Sequence, residues 1–306
     1  MNRAPQWEVD AYDWPHRECS RFVFADGLRW HVQRAGTGPS LLLVHGTGAS
    51  AHSWRGVLPI LAAQFDVIVP DLPGHGFTEA PSASRVADVM SPAGMARALS
   101  ALLQRLEAAP VLGVGNSAGV VVLLQMALLQ GFAPRAILGI NAALMPFAGL
   151  AGAIFLPLAK LFAGAAWTAR FVANQASDRA AVVALIRSTG SEIDAIGVAL
   201  YQRLLRCSGH VAATLAMMAN WDLRSLLPEL LGLRVPLVLL VGMKDRAVAP
   251  AQAYQVQAAM PQVRVRTWPD LGHLAQEEQP ALVAGEILHQ AQFFGVLPTP
   301  IGGETS

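Results

Sequence analysis

Gly115-Asn116-Ser117-Ala118-Gly119 is the stretch of this chain whose residue types and spacing most directly permit chemistry. A G-x-S-x-G pentapeptide between an apolar run and a helical pattern turns a strand sharply into a helix. That turn crowds the backbone around the serine, so Gly115 and Gly119 supply flanking positions without bulk. Ser117 then stands at the helix N-terminus, where the dipole favours developing negative charge. A serine hydroxyl becomes a useful nucleophile only when a base takes its proton and a carboxylate orients that base.

The order expected downstream of such a serine is acid, then histidine. Asp245 follows the apolar run 236–241 (PLVLLV), and His273 lies on the loop after 263–267 (VRVRT), so both fall at the strand ends where Ser117 also lies. Rival groups fit less well. Asp270, three residues before His273, reads as a loop-shaping residue, and His289 reads as a surface or packing residue of the last helix. His16, His31, His52 and His210 sit in no motif and read as structural, and Glu277 and Glu278 read as a solvated helix start.

An attacked carbonyl needs two backbone donors for its developing oxyanion. The Ala118 amide, directly after the nucleophile, is one candidate. Thr47 in His45-Gly46-Thr47-Gly48 is the other, with Gly46 as its near alternative. His45 reads as a residue that ties loops together. Candidate pocket residues are Gly46, Asn116, Phe155, Met218, Trp221 and Leu274, with Met217 beside them; ordinary core packing is the competing reading for the apolar ones.

These residues need a scaffold, and the apolar runs define one. Residues 20–34 read as a hairpin around Asp26-Gly27. Strand candidates follow at 41–45, 66–70, 111–115, 136–140, 236–241 and 263–267, with helical patterns near 52–64, 92–108, 118–131, 250–259 and 279–294. Runs without polar alternation suit a sheet covered on both faces, so the fold class is α/β, a mostly parallel doubly wound sheet. Between about 145 and 230 only helical pattern appears. The expected organisation is a core of 1–144 and 231–306, with residues 145–230 inserted after the sixth strand as a helical lid over the ligand crevice.

Composition narrows the function classes. The 306 residues are 53% hydrophobic and 14% charged, with 22 basic and 21 acidic side chains, so no global field favours nucleic acid. Cys19 and Cys207 lie in no metal-ligand spacing, and two isolated thiols suit a reducing compartment. No phosphate-binding G-x-x-x-x-G-K-[ST] and no H-E-x-x-H occurs, and Gly74-His75-Gly76 reads as a turn. No cofactor or metal is expected. The polar N-terminus shows no signal-peptide pattern, which makes the cytoplasm the expected location. Residues 147–167 are almost continuously apolar, but Pro157, Lys160 and many small residues favour a buried or membrane-grazing helix over a span, so peripheral membrane contact is an expectation too.

With the serine elbow, HGTG, DLPGHGF and the strand order in place, the chain resembles the α/β-hydrolase superfamily from about residue 20 onward. SRFVFADGLRWHVQRAGTGPSLLLVHGTGASAHSW, DLPGHGFT, MMANWDL and GHLAQEEQP together resemble the hydrolase-like magnesium-chelatase accessory proteins of bacteriochlorophyll biosynthesis. That second resemblance covers nearly the whole chain. It implies a phototrophic bacterium, a role near magnesium insertion into protoporphyrin, and a tetrapyrrole or the chelatase subunits as partners. Asn116 stands where that group often has His and is similar to the elbow of carbon–carbon bond hydrolases. Those enzymes usually carry an aromatic residue after the histidine, where this chain has Leu274. Three expectations result: hydrolysis of a carboxylic ester of a bulky apolar substrate, non-catalytic porphyrin binding or chelatase assistance, and carbon–carbon bond hydrolysis or perhydrolysis with the same residues.

Overall fold

In the computed structural model, which describes residues 3–129, 131–146 and 166–298, Asp26 and Gly27 take left-handed φ values of 50° and 70°. A two-residue turn of that hand matches the twist of its flanking strands. It joins β1 (Ser20–Ala25) to β2 (Leu28–Ala35). The remaining strands are β3 (Ser40–Val44), β4 (Asp66–Pro70), β5 (Leu112–Asn116), β6 (Ala136–Ile140), β7 (Leu237–Gly242) and β8 (Arg264–Trp268). They form one sheet of eight strands in the order β1-β2-β4-β3-β5-β6-β7-β8. Only the β1/β2 and β2/β4 pairs are antiparallel.

Successive strand residues point to opposite faces, and both faces are buried. Leu41 and Leu43 pack with Trp54, Val114 and Ile287 on one side, whereas Leu42 and Val44 pack with Leu99 and Val121 on the other. This two-sided burial is why the central strands read as unbroken apolar runs. From β3 the chain moves outward to β4 and then returns to β5 on the other side of β3. Such a reversal opens a crevice at the carboxyl ends of β3 and β5.

Helix Pro92–Arg105 begins with Ser91 Oγ accepting the Gly94 amide at 3.0 Å and with proline in its first turn. The helical pattern at 52–64 instead forms a 3-10 turn at Ala51–Trp54 and a short helix at Leu58–Leu61. Pro59 lacks an amide hydrogen and suits only a first turn, so it starts a new helix.

Between β6 and β7 the described residues form helices Ala166–Gln175, Arg179–Ser188, Ala195–Leu205, Ser208–Asn220 and Leu226–Leu230. Asp178 and Asp194 cap two of them, accepting from the amides of Ala180 (2.8 Å) and Gly197 (2.6 Å). This insertion covers the carboxyl edge of the sheet. Leu274 packs with Val182, Ile186, Val198 and Tyr201 of the insertion. A Cβ on Gly74 would fall 2.4 Å from that of Ala213. The N-terminal segment joins the insertion to the sheet as well: Arg3 O accepts from Gly209 N at 2.8 Å, and Trp14 packs with Phe77, Leu200 and Leu204. Phe155 and residues 147–165 lie outside the described residues. Among those described, no helix is long and apolar enough to cross a membrane.

Candidate active site

Ser117 follows β5 at once and precedes helix Ala118–Leu128, with φ 53° and ψ −118°. A non-glycine residue held there is strained by about 1–3 kcal/mol, so its surroundings must enforce it. They do. A Cβ on Gly115 would lie 2.5 Å from Val120 N, and one on Gly119 would lie 2.4 Å from Val44 O. The elbow helix is thus pressed against the end of β3.

His273 Nδ1 donates to Asp245 Oδ2 at 2.8 Å. The second oxygen, Oδ1, accepts the amides of Ala247 and Val248, each at 2.8 Å. Both groups are buried, and the bond fixes the tautomer that leaves Nε2 free to accept a proton. Ser117 Oγ has no hydrogen-bond partner among the described residues. In sites of this kind the serine–histidine bond often tightens only around substrate.

The loop after β3 lies beside the nucleophile: a Cβ on Gly46 would be 3.0 Å from Ser117 Cβ. Among the described residues, the amides of Gly46, Thr47 and Ala118 donate to no protein acceptor. Thr47 Oγ1 donates to Met217 Sδ at 3.5 Å, so helix Ser208–Asn220 sits directly on this loop. The same helix supplies His210, whose Nε2 donates to Gly48 O at 3.1 Å and whose Nδ1 accepts from Gly76 N at 3.2 Å. Burial lowers the His210 pKa to about 4.

His45 is a loop tie. Its Nε2 accepts the Leu72 amide at 2.9 Å, and its Nδ1 donates to Gly46 O at 2.8 Å. Asp71 orders the 71–78 turn by accepting from His31 Nδ1 (2.8 Å), Ala51 N (2.6 Å) and Phe77 N (2.8 Å). Burial opposes its charge, but His31 and these donors hold its pKa down at about 2.

One sequence reading is extended and one changes. Asn116 is buried, and its amide donates to His273 O at 3.1 Å, so it supports the histidine loop, a role its position in the elbow did not suggest. Glu277 is no solvated helix start. It is buried, accepting from Arg55 Nη1 at 2.5 Å and from the Tyr201 hydroxyl at 2.8 Å. Glu278 accepts the Gly272 amide at 3.0 Å. Of the apolar pocket candidates, Leu274 is buried among residues of the insertion, and Trp221 packs on the main core. Met218 is half-buried on helix Ser208–Asn220.

Three supports of the site carry no motif. Asn141 donates to Gly272 O and His273 O, Ser191 Oγ accepts the Leu274 amide at 2.8 Å, and Arg55 holds Glu277. Only Asn141 offers a local signal, as an asparagine directly after an apolar strand, where a left-handed residue is tolerated. Among the described residues, no group of three or more His, Cys, Asp or Glu side chains is arranged to hold a metal ion.

A strained serine elbow beside a bonded Asp–His pair agrees with the family model that fits this sequence, "Alpha/beta hydrolase family", over residues 41–286. The chain belongs to the alpha/beta hydrolase family. One relative is the magnesium-chelatase 30 kDa subunit of Rhodobacter capsulatus, 38% identical over 278 residues, which cover 90% of this chain and 95% of that protein. Among solved structures, an alpha/beta hydrolase fold protein from Burkholderia ambifaria is 23% identical, with a TM-score of 0.72 over 89% of this chain and 97% of that one. A thermophilic esterase from Thermogutta terrifontis is 23% identical, with a TM-score of 0.68 over 90% and 98%. At these identities the structures show a shared alpha/beta hydrolase fold.

Proposed function

We propose that this protein is a serine-nucleophile hydrolase that cleaves a carboxylic ester of a bulky apolar substrate, with Ser117, His273 and Asp245 as its triad. The observation that carries this reading is the 2.8 Å bond from His273 Nδ1 to Asp245 Oδ2 at the sheet edge where the strained Ser117 stands. In the proposed reaction Ser117 Oγ attacks the ester carbonyl while His273 Nε2 takes its proton. The oxyanion is held by the amides of Ala118 and of Thr47 or Gly46. The tetrahedral intermediate collapses, and His273 returns the proton to the departing alcohol. Water, deprotonated by the same imidazole, then releases the acid. The insertion, a lid in this reading, excludes bulk solvent, and its Met218, with Leu274 after the catalytic histidine, supplies apolar surface for the substrate.

The similarity to a magnesium-chelatase subunit supports a place near magnesium insertion into protoporphyrin, which makes a tetrapyrrole ester the substrate class to test first. The same similarity supports a second reading, in which the protein binds a porphyrin or the chelatase subunits and leaves the triad idle. Labelling with a fluorophosphonate probe tests the first reading. Wild type should label, and Ser117→Ala and His273→Ala should not. Folded wild type that does not label sinks the hydrolase reading and directs attention to spectral titration with protoporphyrin.

A further inference from the structure

Asn141 leaves β6 with φ 47°, and its amide donates to Leu240 O of β7 at 2.9 Å. Its side chain does more. Oδ1 accepts the Gly242 amide at 2.7 Å, while Nδ2 donates to Gly272 O at 2.8 Å and to His273 O at 3.0 Å. Gly242 ends β7, three residues before Asp245, and Gly272 precedes the histidine. One buried amide therefore joins the strand that delivers the acid to the loop that delivers the base.

The nucleophile enters the same junction. Asn116, adjacent to Ser117, donates from Nδ2 to His273 O at 3.1 Å and to Ile140 O at 3.4 Å. The His273 carbonyl thus accepts two amides, one from the serine elbow and one from Asn141. Ser117 N also donates to Ile140 O at 2.9 Å, directly before Asn141. The ends of β5, β6 and β7 and the histidine loop converge on this residue. Space at the junction is closed: a Cβ on Gly242 would lie 2.6 Å from both Gly272 O and Leu271 O.

We propose that Asn141 is a positioning residue for the triad, setting the His273 main chain so that one imidazole orientation serves Asp245 and Ser117 together. This rests on the serine-hydrolase reading for its kinetic consequence and on geometry alone for its structural one. Asn141 touches no reacting atom. Misplacing a reacting group by about 1 Å can cost on the order of 10²-fold in rate, so loss of this junction acts on the reaction step and leaves substrate binding alone.

Asn141→Gly keeps the left-handed backbone and removes the side-chain bonds. Asn141→Asp keeps the acceptor for Gly242 N and loses both donors, setting a carboxylate against two carbonyls. One of the two is expected to fold, checked by circular dichroism. In the folded variant, the maximal rate of fluorophosphonate labelling should fall about 10²-fold with half-saturation within twofold of wild type. Adding Asn116→Ala should be non-additive, because both amides serve one carbonyl. A merely structural residue would lower the labelled fraction and leave the rate per folded site unchanged.

A second readout is independent of activity. The downfield His273 Nδ1 proton in the NMR spectrum, assigned by its loss in His273→Gln, should shift or exchange away in the folded Asn141 variant. A variant that labels within threefold of wild type and keeps this resonance unmoved overturns the proposal. Wild type that never labels overturns the hydrolase reading, and the resonance alone then decides the role of Asn141.

Discussion

The Arg55 guanidinium meets Glu277 at 2.5 Å within the sheet core, at its boundary with the helical insertion. Its other terminal nitrogen reaches Asp194, the cap of helix Ala195–Leu205, at 2.8 Å. Tyr201 on that helix donates to the same Glu277. A buried pair of this kind adds little over an apolar replacement, yet breaking it strands a charge at a cost of about 3–5 kcal/mol. Arg55→Met should therefore lower the thermal midpoint markedly, and Arg55→Met with Glu277→Gln should recover part of that loss. Equal midpoints for the single and double variants would count against the pair as a tie.

Stability should fall with acid, because four buried histidines resist charging. Burial lowers the pKa of His45, His52 and His75, and lowers that of His210 to about 4. The unfolded chain binds protons on these groups near their ordinary value of about 6.5, whereas the native state does not. Their stabilisation is complete above that pH and is lost as pH falls below it, for His210 down through about 4. Glu277 runs the other way: burial raises its pKa to about 7, so its contribution is complete below about 4.5 and lost as pH rises to 7. Burial raises the Glu278 pKa as well, so two carboxyls oppose four imidazoles, and the net sign is acid lability. Thermal midpoints at pH 7.5, 6.0 and 5.0 should descend, and His210→Gln should flatten the slope by at most one proton.

Asp245→Asn should retain the fold, since Oδ1 can still accept from the amides of Ala247 and Val248. It should nevertheless lower kcat on an activated ester by about 10⁴, because the amide favours the wrong imidazole tautomer. A loss below tenfold, measured by steady-state hydrolysis, would remove Asp245 from the proposed triad.

Glycines should divide by what surrounds them. Gly119→Ala would set a methyl 2.4 Å from Val44 O and 2.6 Å from His45 O, both backbone atoms, and should unfold or strongly destabilise the chain. Gly46→Ala meets Ser117 Cβ at 3.0 Å and should lower activity more than stability. Gly285 lies in helix Pro280–Phe293 with nothing within 4 Å of a new Cβ. Gly285→Ala should raise stability by about 1 kcal/mol. Chemical denaturation of the three variants checks the ranking.

Sequence pattern determined the strands and the elbow. Leu41–Val44, Val114 and Leu237–Val241 are buried on both faces, so apolarity without alternation marked them, and the steric demands around Ser117 selected Gly115 and Gly119. Strand ends also located Asp245 and His273, because a parallel sheet delivers its carboxyl ends to one edge. Tertiary structure alone decided the supports. Glu277 looked solvated because its partners Arg55 and Tyr201 lie 222 and 76 residues away. Asn116 showed no sign of bracing the histidine loop because the carbonyl it holds belongs to His273, 157 residues on. Local pattern encodes where a chain is buried and where it must turn. Which distant polar group completes a buried hydrogen bond depends on how the sheet brings loops together, and no residue's type records that.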